Sequence, residues 1–168
     1  MIEELETEAV RLDEIQPGAA APWNRMAVAF CSLIGSLIAL YLLAYKIRLL
    51  GSIACGTGGC ETVQASPWAD FLGIPVPAWG LGGYLTIMAL ALAGLEPRFV
   101  DSRPLAIALL ALSTYAFGFS MYLTAIEAFR LHAWCRWCVG SAIVATLIFV
   151  FSLWEIPRIR EKHFANQA

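Results

Sequence analysis

Residues 134–154 read WCRWCVGSAIVATLIFVFSLW: two cysteines three positions apart, then an apolar run that meets no charge as far as Trp154. About 20 residues are needed to cross roughly 30 Å of hydrocarbon as an α-helix. The 17 residues from Cys138 to Trp154 reach that span if Trp137 and Trp154 act as interfacial anchors, a common use of the amphipathic indole. Three more uncharged stretches repeat the pattern: Met26–Tyr45, Ile74–Leu95 and Leu105–Ile126, of 20, 22 and 22 residues. These need no help to span a bilayer. The sequence therefore predicts an all-α, polytopic membrane four-helix bundle over residues 23–157.

Composition agrees. The chain is 60% hydrophobic and 14% charged, with a mean hydropathy of +0.69, whereas a soluble domain carries about 25% charged residues. A net charge of −2 gives no basic surface for nucleic acid. Residues 1–22 hold Glu3, Glu4, Glu6, Glu8, Asp13 and Glu14 and end in the Pro/Ala/Gly-rich Pro17–Pro22. They read as a flexible acidic tail rather than a cleavable signal peptide, which opens on a basic region before a short apolar one. Residues 158–168 read as a cytoplasmic C-terminal tail.

Orientation follows the excess of Lys and Arg on cytoplasmic segments. With four spans, the side of the termini holds Arg11, Arg25, Arg98, Arg103, Arg158, Arg160 and Lys162; the other holds Lys46, Arg48, Arg130 and Arg136. Seven against four places both termini in the cytoplasm and both close cysteine pairs, Cys55/Cys60 and Cys135/Cys138, on the outer face of the inner (cytoplasmic) membrane. Disulfides persist there, while cytosolic thiols are kept reduced.

The first pair lies in Cys55-Gly-Thr-Gly-Gly-Cys60. Its glycines leave the backbone mobile, so the sulfurs can meet without helical geometry in an exchangeable disulfide that cross-links little of the chain. A structural staple is the alternative. Ser66-Pro67 then has the form of a helix cap and first turn, with Gly73 as the stop. A short interfacial helix is expected there, in the first outer loop, with Trp68, Phe71 and Leu72 on its apolar side. Pro77 suits the start of the next span. Gly80, Gly82 and Gly83 allow close helix packing or room for a flat ligand, packing being the commoner use.

The second pair, Cys135-Arg136-Trp137-Cys138, is the sharper motif. If Cys135 caps the last helix, the two sulfurs share a face, and the helix N-terminus together with Arg136 stabilises a thiolate, the nucleophile of disulfide exchange. Val139 stands where a c-type haem motif needs His. A four-cysteine zinc site remains an alternative, which would make the protein a zinc-clamped or disulfide-stapled scaffold without turnover. His132 reads as a solvated interfacial residue and Cys31 as a small buried hydrophobe.

A loop cysteine pair, Ser66 six residues after Cys60, the stretch FLGIPVPAWGLGGY over 71–84 and a CxxC opening the last span together resemble the vitamin K epoxide reductase family in its bacterial and archaeal form. The likeness covers roughly residues 25–155. The disulfide bond formation protein B family does similar chemistry but carries its CxxC in the first outer loop. The resemblance implies a helix bundle around a quinone (ubiquinone or menaquinone) that reoxidises a separate thioredoxin-like, DsbA-like periplasmic protein and so drives disulfide formation in exported proteins. It implies Cys55 and Cys60 as the shuttle pair, Cys135 as the thiol that exchanges with the loop, and Cys138 as the thiol that meets the quinone. Ser66, Phe71, Trp79 and Ser141 are expected, with Cys138, to line the quinone site. No metal is expected. The loop pair is closer in sequence than in familiar members, and Ser141-Ala142 replaces the Thr-Tyr element of the animal enzymes. Epoxide reduction is not expected, and only 14 residues follow Trp154, so no fused thioredoxin-like domain is expected either.

Overall fold

The four uncharged runs become four long helices. In the computed structural model, which describes residues 23–56, 59–100 and 102–154, the chain forms α1 (Trp23–Lys46), a short α2 (Gly59–Ala65), α3 (Val76–Ala93), α4 (Arg103–Ile126) and α5 (Arg136–Leu153). All but α2 are long and apolar enough to cross a membrane, α4 together with the turn that follows it. Both terminal tails, with Arg11, Arg158, Arg160 and Lys162, lie outside the described residues. Helix starts follow local chemistry. Pro75 and Pro77 fix the backbone where α3 begins. The Ser102 hydroxyl accepts the Leu105 N–H at 3.4 Å to cap α4. Cys135 caps α5, its sulfur accepting the Cys138 N–H at 3.3 Å. Helix α4 does not stop at Ile126; it widens into one π turn, Glu127–Leu131, closed by His132 in a left-handed conformation.

The first outer loop differs from expectation. Its helix is α2, with Cys60 in the first turn, and not residues 67–73. Pro67–Ala69 makes only a 3₁₀ turn, and Asp70–Phe71 (β1) pairs antiparallel with Ile74–Pro75 (β2). The cause is the turn between them. Leu72 and Gly73 both take positive φ, 55° and 78°, the backbone that reverses a two-residue hairpin and that Gly73 accepts freely. Ser66 does not cap a helix; its hydroxyl donates back to the Val63 carbonyl at 2.7 Å.

Helix α1 packs along α3 and α5, and α5 along α4, whereas α3 and α4 touch sparingly. Val28, Ile87, Leu109 and Ile148 are fully buried at the centre, with Cys31 among them as a small apolar residue. Phe30, Leu37 and Leu40 of α1 point outward, as side chains do when lipid rather than water is the solvent. Close approach is bought at two glycines. The ring of Tyr84 lies against Gly35, and buried Arg25 donates to the Gly94 carbonyl at 2.6 Å, tying the start of α1 to the end of α3. Gly82 and Gly83, by contrast, face open space. Of that cluster only Gly80 packs closely, a Cβ there standing 3.8 Å from Ala39 of α1, and the tightest approaches are at Gly35 and Gly94.

A Cβ at residue 35 would stand 2.6 Å from the Tyr84 ring. Gly35→Ala is therefore expected to destabilise the protein by about 1–3 kcal/mol through overpacking, read as a lowered melting temperature in detergent. Gly82→Ala, with nothing within 4 Å of its added Cβ, is expected to melt with or above the parent. Equal melting of G35A and the parent would refute this account of the helix contact.

Candidate functional site

The two cysteine pairs meet at one end of the bundle. Cys55 and Cys60 are joined in a disulfide with their Cα atoms 5.9 Å apart, while Cys135 and Cys138 are free thiols. Cys55, Cys60 and Cys135 are all buried in a single cluster with Leu42, Ile53 and Val63. Because Cys55 and Cys60 bond to each other here, the four-thiolate set read as a possible zinc clamp is not assembled in this state. The loop is pinned as well as buried. The Ala54 N–H donates to the Tyr41 hydroxyl at 2.9 Å, and the Trp137 indole donates to the Ala54 carbonyl at 3.1 Å. The Tyr41 and Trp137 rings themselves lie 4.8 Å apart. At Gly59 the loop rests so closely on the Trp134 backbone that a Cβ there would collide with it. The glycines thus serve close seating at Gly59 and a positive φ, 70°, at Gly56. His132 is exposed, as its interfacial reading expects.

Burial opposes a thiolate at Cys135, yet its thiol is held below the ordinary range. The first cause is the hydrogen bond from the Cys138 thiol; the N–H groups of Cys138 and Trp137 in the first turn of α5 add to it, against the nearby Glu127 charge. The helix-terminus argument holds for this residue. Arg136 is not among the causes of that lowering, contrary to expectation; its guanidinium lies beside Gly56 of the outer loop.

Beside this cluster opens a cavity of about 810 Å³ between α3 and α4, floored by α1 and α5 and roofed by the outer loop. Its wall includes Ser66, Phe71, Trp79, Cys138 and Ser141. Cys55, Cys60 and Cys135 are absent from it, so Cys138 alone connects the sulfurs to the cavity. Gly80, Gly82 and Gly83 form part of the wall, and no Cβ fills the space over the last two. Phe71, Trp79, Phe119 and Tyr115 make an aromatic flank, with the Trp79 indole donating to the Phe71 carbonyl at 3.2 Å. Lys46 fixes the roof from below, donating to the Gln64 carbonyl at 2.7 Å and to Asp70 at 2.9 Å.

Three polar residues of the wall escaped the sequence reading. Tyr84 places its hydroxyl 2.8 Å from the Ser141 hydroxyl and donates to the Ser141 carbonyl at 2.9 Å. Gln64 is buried, and its side-chain carbonyl oxygen has no hydrogen-bond partner. Such an orphan costs on the order of 1–3 kcal/mol unless something donates to it. Glu127 is buried with 4% of its surface exposed. Its carboxylate accepts the Cys135 N–H at 3.1 Å and lies within hydrogen-bonding reach of the Cys138 thiol. A charge at the end of an apolar run looks in sequence like a span boundary, and nothing in the run betrays the π turn that carries it inward.

An apolar cavity of this size falls within the range of about 300–1,000 Å³ usual for small-molecule sites. Its aromatic flank and few polar groups suit a ring with oxygen substituents. Comparison with known proteins points the same way: the sequence model of the vitamin K epoxide reductase family matches residues 26–153. That match covers both cysteine pairs and all four long helices but for the first three residues of α1.

Removing Cys138 removes the largest contact that lowers Cys135. In reduced Cys138→Ala the pH at which Cys135 becomes half-reactive is therefore expected to rise relative to the parent, a lowered thiol being deprotonated, and so reactive, at lower pH. Iodoacetamide labelling against pH, read at Cys135 by mass spectrometry, checks the sign. An unchanged profile would leave the helix amides as the whole cause.

Proposed function

Because the chain belongs to the vitamin K epoxide reductase family, a family of quinone-linked thiol oxidoreductases, we propose that it is a multi-pass membrane oxidoreductase moving electrons from Cys55/Cys60 to Cys135/Cys138 and on to a quinone. The observation that carries this reading is the division of labour among the sulfurs. Cys135 shares a buried cluster with the loop disulfide, and Cys138, one helical turn on, faces the cavity. In this direction a freed loop thiolate attacks the oxidised CxxC, and the lowered Cys135 thiol is the nucleophile that bonds to Cys138 again as the electrons leave.

The residues present fit a quinone. Phe71 and Trp79 would flank the ring, and the open space over Gly82 and Gly83 would admit it. The unpartnered Gln64 oxygen would accept a hydroxyl of the reduced form. Ser66 and Ser141 complete the polar set, Ser141 positioned by Tyr84. Bound there, a quinone supplies a two-electron, two-proton acceptor.

On this reading the electron donor is a separate thioredoxin-like protein that introduces disulfides into exported proteins. The cysteine end faces outward from the inner membrane, and both termini are cytoplasmic. Charge at the helix ends supports the orientation, with Lys46, Arg48, Arg130 and Arg136 fewer than the basic residues of the other side. A disulfide-stapled scaffold without turnover is the second reading, favoured only by the burial of both loop sulfurs.

Purified protein supplied with a soluble quinone is expected to oxidise a thioredoxin-like dithiol, with turnover falling to background in Cys138→Ala. Turnover kept in C138A would sink the assignment of Cys138. No oxidation by the parent with either ubiquinone or menaquinone analogues would favour the scaffold.

A further inference from the structure

A buried carboxylate with no cation beside it is expensive in a membrane bundle. Among the described residues Glu127 has no ion pair; its carboxylate accepts the Cys135 N–H at 3.1 Å, and the Cys138 thiol lies within its reach as an alternative to the Cys135 sulfur. It also forms part of the cavity wall beside Cys138. The π turn at Glu127–Leu131 is what brings it there, and such turns cluster at functional positions because they re-aim a side chain at a cost in helix geometry. A cap for the Cys135 N–H needs only a neutral oxygen. A carboxylate within reach of the Cys138 thiol and lining the same cavity can also hold a proton.

We infer that Glu127 is a catalytic residue, the proton carrier between the Cys138 thiol and the acceptor in the cavity. The inference rests on the quinone-linked reading above. Overall, two thiols lose two protons and two electrons to form one disulfide, and the acceptor gains both to become a quinol. Glu127 takes the proton as the Cys138 S–H bond breaks, which frees the sulfur's electron pair for transfer to the acceptor. The Cys135 sulfur then bonds to Cys138, and the two electrons remain with the acceptor. Glu127 delivers its proton to an acceptor oxygen. The proton lost by Cys135 follows through the same carboxylate, which ends unchanged. Among the described residues no other carboxylate forms part of the cavity wall.

Glu127→Gln is the decisive variant, since its amide oxygen can still accept the Cys135 N–H while its side chain cannot carry a proton. Quinone-dependent dithiol oxidation is expected to fall about 10²-fold or more, the usual contribution of a positioned acid–base group, with partial recovery in Glu127→Asp. Quinone binding, titrated by quenching of tryptophan fluorescence, is expected to stay within about twofold of the parent. Thiol alkylation and mass spectrometry during turnover should find Cys135 and Cys138 accumulating reduced in E127Q, the loop having passed its electrons on. Parental turnover in E127Q would overturn the assignment, as would a loss matched entirely by weaker quinone binding or accumulation of reduced Cys55 and Cys60 instead. If the parent itself fails to use a quinone, the quinone-linked reading falls, a result distinct from an active parent with an equally active E127Q.

Discussion

The first turn of α5 is the constraint around which the rest is arranged. In hydrocarbon the free N–H groups of a helix start must find acceptors inside the protein. Two acceptors do this here, the Cys135 sulfur for the Cys138 N–H and the Glu127 carboxylate for the Cys135 N–H. Satisfying that requirement with a sulfur and a carboxylate, and not with Ser or Asn, makes a thiol of the CxxC part of the cap itself. Much else follows from it. Helix α4 must end in a π turn to present Glu127, and His132 must turn left-handed to bring the chain back to Trp134. The outer loop can then seat on the Trp134 backbone only because residue 59 is glycine.

The cavity has an equally simple origin. Three of the helix contacts are close, and the fourth, α3 against α4, is not. Interiors are ordinarily packed to crystal density, so a gap of this volume must be held open by what surrounds it. Gly35 lets α1 accept the Tyr84 ring, and the bond from Tyr84 to Ser141 braces α3 against α5. The missing side chains at Gly82 and Gly83 keep the space open, and the hairpin of β1 and β2 brings Phe71 to its wall. A site built from an absence of packing is stabilised by whatever fills it, since a ligand restores the dispersion contacts its walls lack.

Much of this was legible in the sequence, and the failures share a cause. Charge-free runs mark helices because a bilayer penalises charge, so all four spans could be read with their approximate ends. The CxxC cap could be read too, since a helix start and a thiol pair coincide there. The same rule hid Glu127. Counting uncharged residues ends the third run at Ile126 and files the next residue as boundary, while the helix runs on into a π turn. Gln64 and Tyr84 were invisible for a different reason: their roles rest on partners 57 residues away or on the lack of any partner, and neither leaves a local pattern. The outer loop misled through Leu72. Helical spacing of Trp68, Phe71 and Leu72 suggested one apolar face, yet Leu72 takes positive φ to let Gly73 close a hairpin.

The fold also makes the two thiol pairs unequal in a way their spacing did not suggest. Glycines around Cys55 and Cys60 argued for a loose shuttle, but both sulfurs are buried, and the loop segment beside Cys55 is clamped through both polar groups of Ala54. Two net hydrogen bonds at about 1 kcal/mol each, with the burial of Ile53 adding about 1.5 kcal/mol or more, set an opening cost of about 3 kcal/mol or more. At 1.4 kcal/mol per factor of ten, an opening of that cost leaves the loop exposed in under about one molecule in a hundred. Such a shuttle would be closed unless a partner binds the open form and supplies that difference, so the clamp protects the loop disulfide from small thiols. Mobility here would come from the Tyr41 and Trp137 contacts releasing Ala54, and the glycines would only permit the movement once it is released.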